Sequence, residues 1–156
     1  MKISSPDQLR ELADEFAKKN QAYTSVISVC GGTGCRSSGS RDVYDAAKLE
    51  LRRNGVGDSV RLLMSGCHGF CENGPIVVIQ PGDIFYCKVQ PDWIPEIIEA
   101  ALDGRAPVEK YLFKDPKTKV RVSRRSEFPF YALQRRPILG NNGIIDPEDI
   151  RDYIAL

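Results

Sequence analysis

Thr24-Ser25-Val26-Ile27-Ser28-Val29-Cys30-Gly31-Gly32-Thr33-Gly34-Cys35 is a β-branched run that empties into a glycine-rich loop bounded by two cysteines. Thr24 to Val29 reads as a strand. Further on, Val60 to Met64 reads as a second strand, and Ser65-Gly66-Cys67-His68-Gly69-Phe70-Cys71-Glu72-Asn73-Gly74 as a second glycine-rich loop. Between them, Ser40 opens a helix with Val43, Ala47 and Leu51 at helical spacing, ended by Asn54-Gly55. A strand–helix–strand unit of this kind closes as a right-handed parallel crossover. Both cysteine loops then leave the same end of the sheet, where ligand sites gather in open α/β sheets.

Outward from this unit, Ser5-Pro6-Asp7-Gln8 carries the marks of a helix start, with Ser5 as cap, Pro6 in the first turn and Gln8 completing a capping box. Leu9, Leu12, Ala13 and Phe16 share a face, and Asn20 is a plausible stop. After the second loop, Pro75 to Gln80 and Ile84 to Val89 read as a hairpin around Pro81-Gly82-Asp83. Asp92 then opens a helix with Ile94, Ile97, Ile98 and Leu102. The expected fold is α/β, a thioredoxin-like mixed sheet of about four strands with flanking helices and an additional N-terminal helix, over residues 1–104. An extended basic arm or linker follows over 105–136. It carries Arg105, Lys110, Lys114, Lys117, Lys119, Arg121, Arg124, Arg125, Arg135 and Arg136 against Glu109, Asp115 and Glu127. Residues 137–156 are turn-rich, and Asp146-Pro147-Glu148-Asp149 starts a last short helix.

The bulk numbers fit this plan. The chain has 156 residues, 42% hydrophobic and 28% charged, with a net charge of +1. That suffices for one cored domain plus a tail. There is no apolar run of about 18 residues, so no membrane span or membrane contact is expected. The N-terminus lacks the apolar stretch of a signal peptide. A cytoplasmic location is expected, where the five cysteines are poor candidates for structural disulfides. The basic arm lacks interleaved aromatic platforms and matches no nucleic-acid module, so no nucleic-acid partner is expected.

Four of the cysteines form two pairs, Cys30/Cys35 with four residues between them and Cys67/Cys71 with three. Thiolates are soft anionic ligands suited to iron–sulfur clusters, and a [2Fe-2S] cluster takes four of them. Gly31, Gly32, Gly34, Gly66 and Gly69 let the backbone approach closely and turn amides inward as an anion-binding nest. Such donors stabilise a negatively charged cluster. Zinc stays open on spacing alone, because tetrahedral four-cysteine sites overlap these intervals. A thioredoxin-type dithiol needs a C-x-x-C, which is absent.

Cys30-x4-Cys35 and Cys67-x3-Cys71, followed by Gly74-Pro75-Ile76-Val77-Val78, resemble the thioredoxin-like [2Fe-2S] ferredoxins, including the small iron–sulfur subunit of respiratory complex I. The likeness runs from about Tyr23 to Leu102. It implies a [2Fe-2S] cluster on Cys30, Cys35, Cys67 and Cys71, and one-electron transfer. Phe130, Gln134-Arg135, Pro137, Leu139, Asn141, Gly143, Ile145-Asp146-Pro147-Glu148 and Asp152-Tyr153 resemble the opening of the complex I flavoprotein subunit. The β subunits of NAD-dependent, often electron-bifurcating, hydrogenases and formate dehydrogenases open similarly. This likeness implies that 137–156 is the truncated start of a flavoprotein domain, with FMN, NAD and [4Fe-4S] sites only downstream. The implied partners are the flavoprotein body and other iron–sulfur subunits of a multi-subunit oxidoreductase. No complete active site falls in this chain, so no catalytic residue is assigned. The competing function is a structural metal scaffold, zinc or iron–sulfur, without a redox role.

The remaining residues have plainer readings. Cys87 reads as a small buried hydrophobe. His68 reads as an exposed loop histidine or as a nearby charge that makes the potential pH-dependent. Pro75 stands where thioredoxin-like folds carry a cis bond. Arg36, Arg41 and Lys88 read as solvated surface or as steering charges for an acidic partner. Trp93 reads as core.

Overall fold

A computed structural model describes residues 3–156. Helix α1 (Pro6–Gln21) starts where expected, with Ser5 Oγ accepting from the Gln8 amide at 3.3 Å. The Gln8 side chain returns one residue further out, accepting from the Ser4 amide at 2.9 Å. Strand β1 (Ser25–Cys30) leads into a short helix α2 (Thr33–Ser37), then α3 (Ser40–Arg53) and β2 (Val60–Ser65). Strands β3 (Val77–Gln80) and β4 (Ile84–Tyr86) form the hairpin, and α4 (Ile94–Leu102) follows.

The four strands lie in the order β2-β1-β3-β4. β1 runs parallel to β2 and antiparallel to β3, and β3 runs antiparallel to β4. The parallel register ends with Cys30 opposite Ser65, so both cysteine loops leave one edge of the sheet side by side. Period-two alternation sorts the side chains by face. Ile27, Val29, Val77 and Ile79 meet Val43, Ala47 and Leu51 of α3 and Ile94, Ile97 and Ile98 of α4. Each such aliphatic side chain contributes roughly 1.5–3 kcal/mol when fully buried. On a second face Val78, Phe85, Cys30 and Cys87 meet Phe70, Phe128 and Tyr131.

Several local readings shift. The loop after Cys30 winds into α2, closed by the Arg36 amide on the Gly32 carbonyl at 2.9 Å. Gly39, with φ +91°, takes the cap position of α3 that Ser40 was expected to fill. A positive φ strains any side chain, so glycine caps and serine becomes the first helical residue. The fourth strand stops at Tyr86 rather than Val89, because Lys88 has φ +53° and cannot continue an extended ladder. Asp92 lies in a 3-10 turn, Pro91–Trp93, and α4 begins after it. Gly74–Pro75 is cis, as its position suggested, and Gln80–Pro81 is cis as well.

Trp93 is not core. It is half-buried and stacked on Tyr111 of the arm with ring centroids 4.4 Å apart. The arm itself carries a two-stranded ribbon, β5 (Phe113–Lys114) and β6 (Arg121–Val122), and a helical turn α5 (Pro129–Ala132). It lies along the free edge of β4. Tyr86 bridges to Leu112, Ile84 bridges to Arg124, and the Phe85 amide donates to the Ser123 carbonyl at 2.8 Å. An exposed strand edge is a liability, and the arm covers this one.

The last segment passes the second cysteine loop and ends in α6 (Ile150–Ile154), capped by Asp149 rather than opened at Asp146. α6 rests against α1, with the Arg151 guanidinium 4.6 Å from the Phe16 ring centroid. Asp152 pairs with Arg61 of β2. No helix among the described residues is long and apolar enough to cross a membrane.

Candidate metal centre

The two cysteine loops meet. Cys67 and Cys71 Sγ are 3.8 Å apart. Cys30 neighbours both Cys35 and Cys67, close enough for each to shift its proton affinity, and Cys35 feels the charge of Cys71. The four thiols therefore gather round one site in a loose ring, in the order Cys35, Cys30, Cys67, Cys71. Cys30 and Cys35 are each 1% exposed, Cys67 is half-buried and Cys71 is exposed.

The hydrogen bond from Cys35 lowers Cys30 to about 6 against the pull of burial, and the amides of His68 and Gly32 and the Cys67 thiol help. Cys35 is raised by the same shared proton, by burial and by the Cys30 charge. Burial also raises Cys67. Cys35 thus draws Cys30 towards the thiolate, the state that ligates metal.

The glycines act mainly by leaving space. A β carbon on Gly32 would stand 2.9 Å from the Cβ and Sγ of Cys67. One on Gly34 would stand 2.9 Å from Cys71 Cβ. Gly74, which the loop reading left out of the site, presses on Cys35 in the same way, at 2.6 Å from its Sγ. Gly69, with φ +84°, donates its amide to Cys67 Sγ at 3.3 Å. Gly31 does something different. Its amide donates to the Ser65 carbonyl at 2.8 Å, so it belongs to the sheet and not to the nest. Gly66 offers its carbonyl to Cys30 Sγ at 3.8 Å and faces Asn142. The inward donors are the amides of Gly32, His68, Gly69 and Ile76. Sequence alone named two of them.

His68 is neither exposed nor a charge. It is 0% exposed, 3.3 Å from Ser65 Oγ, edge-on to Phe85 and with Nδ1 unpartnered among the described residues. Burial lowers it to about 4, and Arg125 and Arg136 reinforce this, so the ring stays neutral at neutral pH. Cys87 is buried, and burial raises its thiol to about 12. Phe70, between His68 and Cys71, is gripped by the arm. Phe130 stacks on it at 4.8 Å, and Phe113, Phe128 and Tyr131 meet it at 5.6, 6.1 and 6.0 Å.

Among the described residues, no three His, Cys, Asp or Glu side chains converge on a single ion. A two-iron cluster does not require that, since its four thiolates divide between two metals. The ring of four sulfurs, the amides aimed at it and the close-pressed glycines fit such a cluster.

Comparison with known proteins points to the same class of cofactor. The model of the thioredoxin-like [2Fe-2S] ferredoxin family matches residues 14–102. The chain belongs to that family, whose members carry out iron–sulfur electron transfer. A 2Fe-2S ferredoxin of Aquifex aeolicus is 31% identical over 84 residues, covering 53% of this chain and 76% of the relative. One from Clostridium pasteurianum is 30% identical over 76 residues, covering 49% and 74%. The crystal structure of the wild-type thioredoxin-like [2Fe-2S] ferredoxin from Aquifex aeolicus superposes with a TM-score of 0.53 at 28% identity, covering 60% of this chain and all of that one.

Proposed function

We propose that this chain is a one-electron carrier holding a [2Fe-2S] cluster on Cys30, Cys35, Cys67 and Cys71, and that it serves as the N-terminal module of an NADH-linked flavoprotein subunit. The gathering of four thiols at the sheet edge carries the first part of the reading. The likeness of residues 130–153 to the opening of complex I-type flavoprotein subunits supports the second. When bound, the cluster supplies a centre that takes up and returns one electron. Cys30 and Cys35 hold it from the protein side, and Cys67 and Cys71 from the outer loop. The inward amides offset negative charge at the sulfurs. Phe70 and the arm aromatics exclude water from the inner side. Cys71, the exposed thiol, marks the edge at which a partner docks and electrons cross. The partners in this reading are the flavoprotein body, with its FMN, NAD and [4Fe-4S] groups, and neighbouring iron–sulfur subunits in the cytoplasm.

Anaerobic purification with iron, sulfide and zinc analysis tests the first part, followed by EPR before and after dithionite. About two irons and two sulfides per chain, silent as isolated and giving one spin-half signal on reduction, is the expected result. Stoichiometric zinc that persists after reconstitution with iron and sulfide overturns it in favour of a structural metal. NADH alone is expected to leave the cluster oxidised, and NADH with the flavoprotein body to reduce it. Failure of that second reduction removes the subunit assignment while leaving the carrier intact.

A further inference from the structure

The carbonyl of Cys67 is held from outside its own loop. Asn142 Nδ2 donates to it at 2.8 Å and Arg136 Nη2 at 3.3 Å. Both donors come from the C-terminal segment, beyond the 14–102 stretch that the family model matches. The approach is close along its whole length. Gly143, with φ +95°, lies so near His68 that a β carbon there would stand 2.6 Å from Cε1. Gly66 faces the Asn142 amide equally closely. Asn142 is in turn fixed by its own amide on the Leu139 carbonyl at 3.2 Å and by a bridge to Ile145.

The held loop needs holding. Gly66 and Gly69 flank Cys67 and His68, and glycines lose the most conformational freedom on ordering. A hydrogen-bonded carbonyl one residue from Gly66 and two from Gly69 removes that freedom next to a ligand sulfur. The second consequence is electrostatic. An electron added beside Cys67 adds negative charge, and a half-buried guanidinium bonded to the same residue favours the reduced state.

We propose that Asn142 and Arg136 are positioning residues for the Cys67 loop, and that the Arg136 charge and the Asn142 amide donor at the Cys67 carbonyl raise the reduction potential of the centre. The inference rests on the [2Fe-2S] reading above and extends it to residues outside the family's matched region.

The test is an EPR-monitored redox titration of the full chain and four variants. It is joined to amide hydrogen exchange across residues 66–70 in the cluster-free protein. Arg136→Gln lowers the midpoint potential, and Arg136→Lys restores most of it. Asn142→Asp, which replaces a donor by an anion in the same space, lowers it more than Asn142→Ala does. Asn142→Ala speeds exchange of the loop amides about fivefold, the effect of losing one ordinary hydrogen bond. Unchanged potentials in both Arg136→Gln and Asn142→Asp, with iron content intact, overturn the electrostatic role. Unchanged exchange in Asn142→Ala overturns the brace. Should Arg136→Gln fail to fold, the difference between Asn142→Asp and Asn142→Ala decides the sign of the charge effect. A wild-type chain without a cluster defeats the reading of the centre, and the exchange measurement still judges the brace.

Discussion

Gly32 lies so close to Cys67 that a single methyl group cannot be added between them: its β carbon would sit 2.9 Å from both Cβ and Sγ. The first loop is glycine-rich there because the second loop's cysteine rests on its backbone. Gly32 has φ −60°, so alanine strains nothing locally and the effect of substitution is purely one of space. Gly32→Ala is expected to push Cys67 off the ring and to lose most of the bound iron, read as iron per chain and as visible absorbance. Gly57→Ala is the control, because no atom lies within 4 Å of a β carbon there. Equal iron in the two variants sinks the argument.

Cys87 shares the buried cluster of Cys30 and Cys35 yet plays no part in the ring of thiols. Cys87→Ser is expected to keep the cluster, while Cys35→Ser or Cys67→Ser destroys or alters it. Bleaching by Cys87→Ser would show the ligand assignment to be wrong. Burial raises the Cys87 thiol to about 12, so it stays protonated in the folded chain. The folded state therefore binds a proton that the unfolded state releases from about pH 9 upward. This contribution is complete below pH 9 and is lost as pH rises towards 12. Iodoacetamide at pH 9 is expected to label Cys87 in urea but not in buffer, as mass spectrometry of the labelled peptide reports.

Phe70 sits one residue before Cys71 and is the hub where the arm meets the second loop, stacked by Phe130 and met edge-on by Phe113, Phe128 and Tyr131. Phe70→Ala removes a buried ring and leaves a cavity, which costs about 3–5 kcal/mol. The aromatic geometry adds about 1 kcal/mol beyond area. Urea unfolding measures the loss. Because Phe70 shields the inner side of the centre, faster iron release to a chelator is expected with it. A variant that unfolds earlier but releases iron at the wild-type rate would separate the arm from the centre.

Much of the site was legible because its signals are local. Two β-branched strands running into glycine-rich cysteine loops place the four thiols at one sheet edge without any long-range information. The hairpin and the isoleucine face of α4 follow from period alone. Gly74 and Gly31 were exchanged in role because closeness to Cys35, or pairing with Ser65, depends on how two loops stack and not on either loop's composition. The burial of His68 escapes a local reading for the same reason: Phe85 and Gly143, which meet its ring, are far along the chain. The arm looked like a linker because Phe113, Phe128 and Tyr131 show no periodicity among themselves. Their partners are Phe70 and Phe85, and only the folded sheet sets that spacing.

Asp152 carries the anchoring of the C-terminal segment, and nothing near it in sequence announces this. Its side chain is 1% exposed and pairs with Arg61 of β2, itself 16% exposed. The same carboxylate oxygen accepts from the Asp146 amide at 2.7 Å, so one group fixes both α6 and the turn before it. Asp152→Ala leaves Arg61 uncompensated and the amide unpaired, an expected loss on the order of 3 kcal/mol in urea unfolding. Asp152→Asn keeps an acceptor for the amide and should lose less. Arg61→Ala leaves the more deeply buried charge unpaired and should lose more. A double-mutant cycle on Arg61 and Asp152 isolates the pair itself. If α6 is docked through this pair, limited proteolysis of Asp152→Ala cuts the last segment before the sheet unfolds. Cleavage at the wild-type rate would mean that the Arg151–Phe16 contact and α1 hold the segment without it.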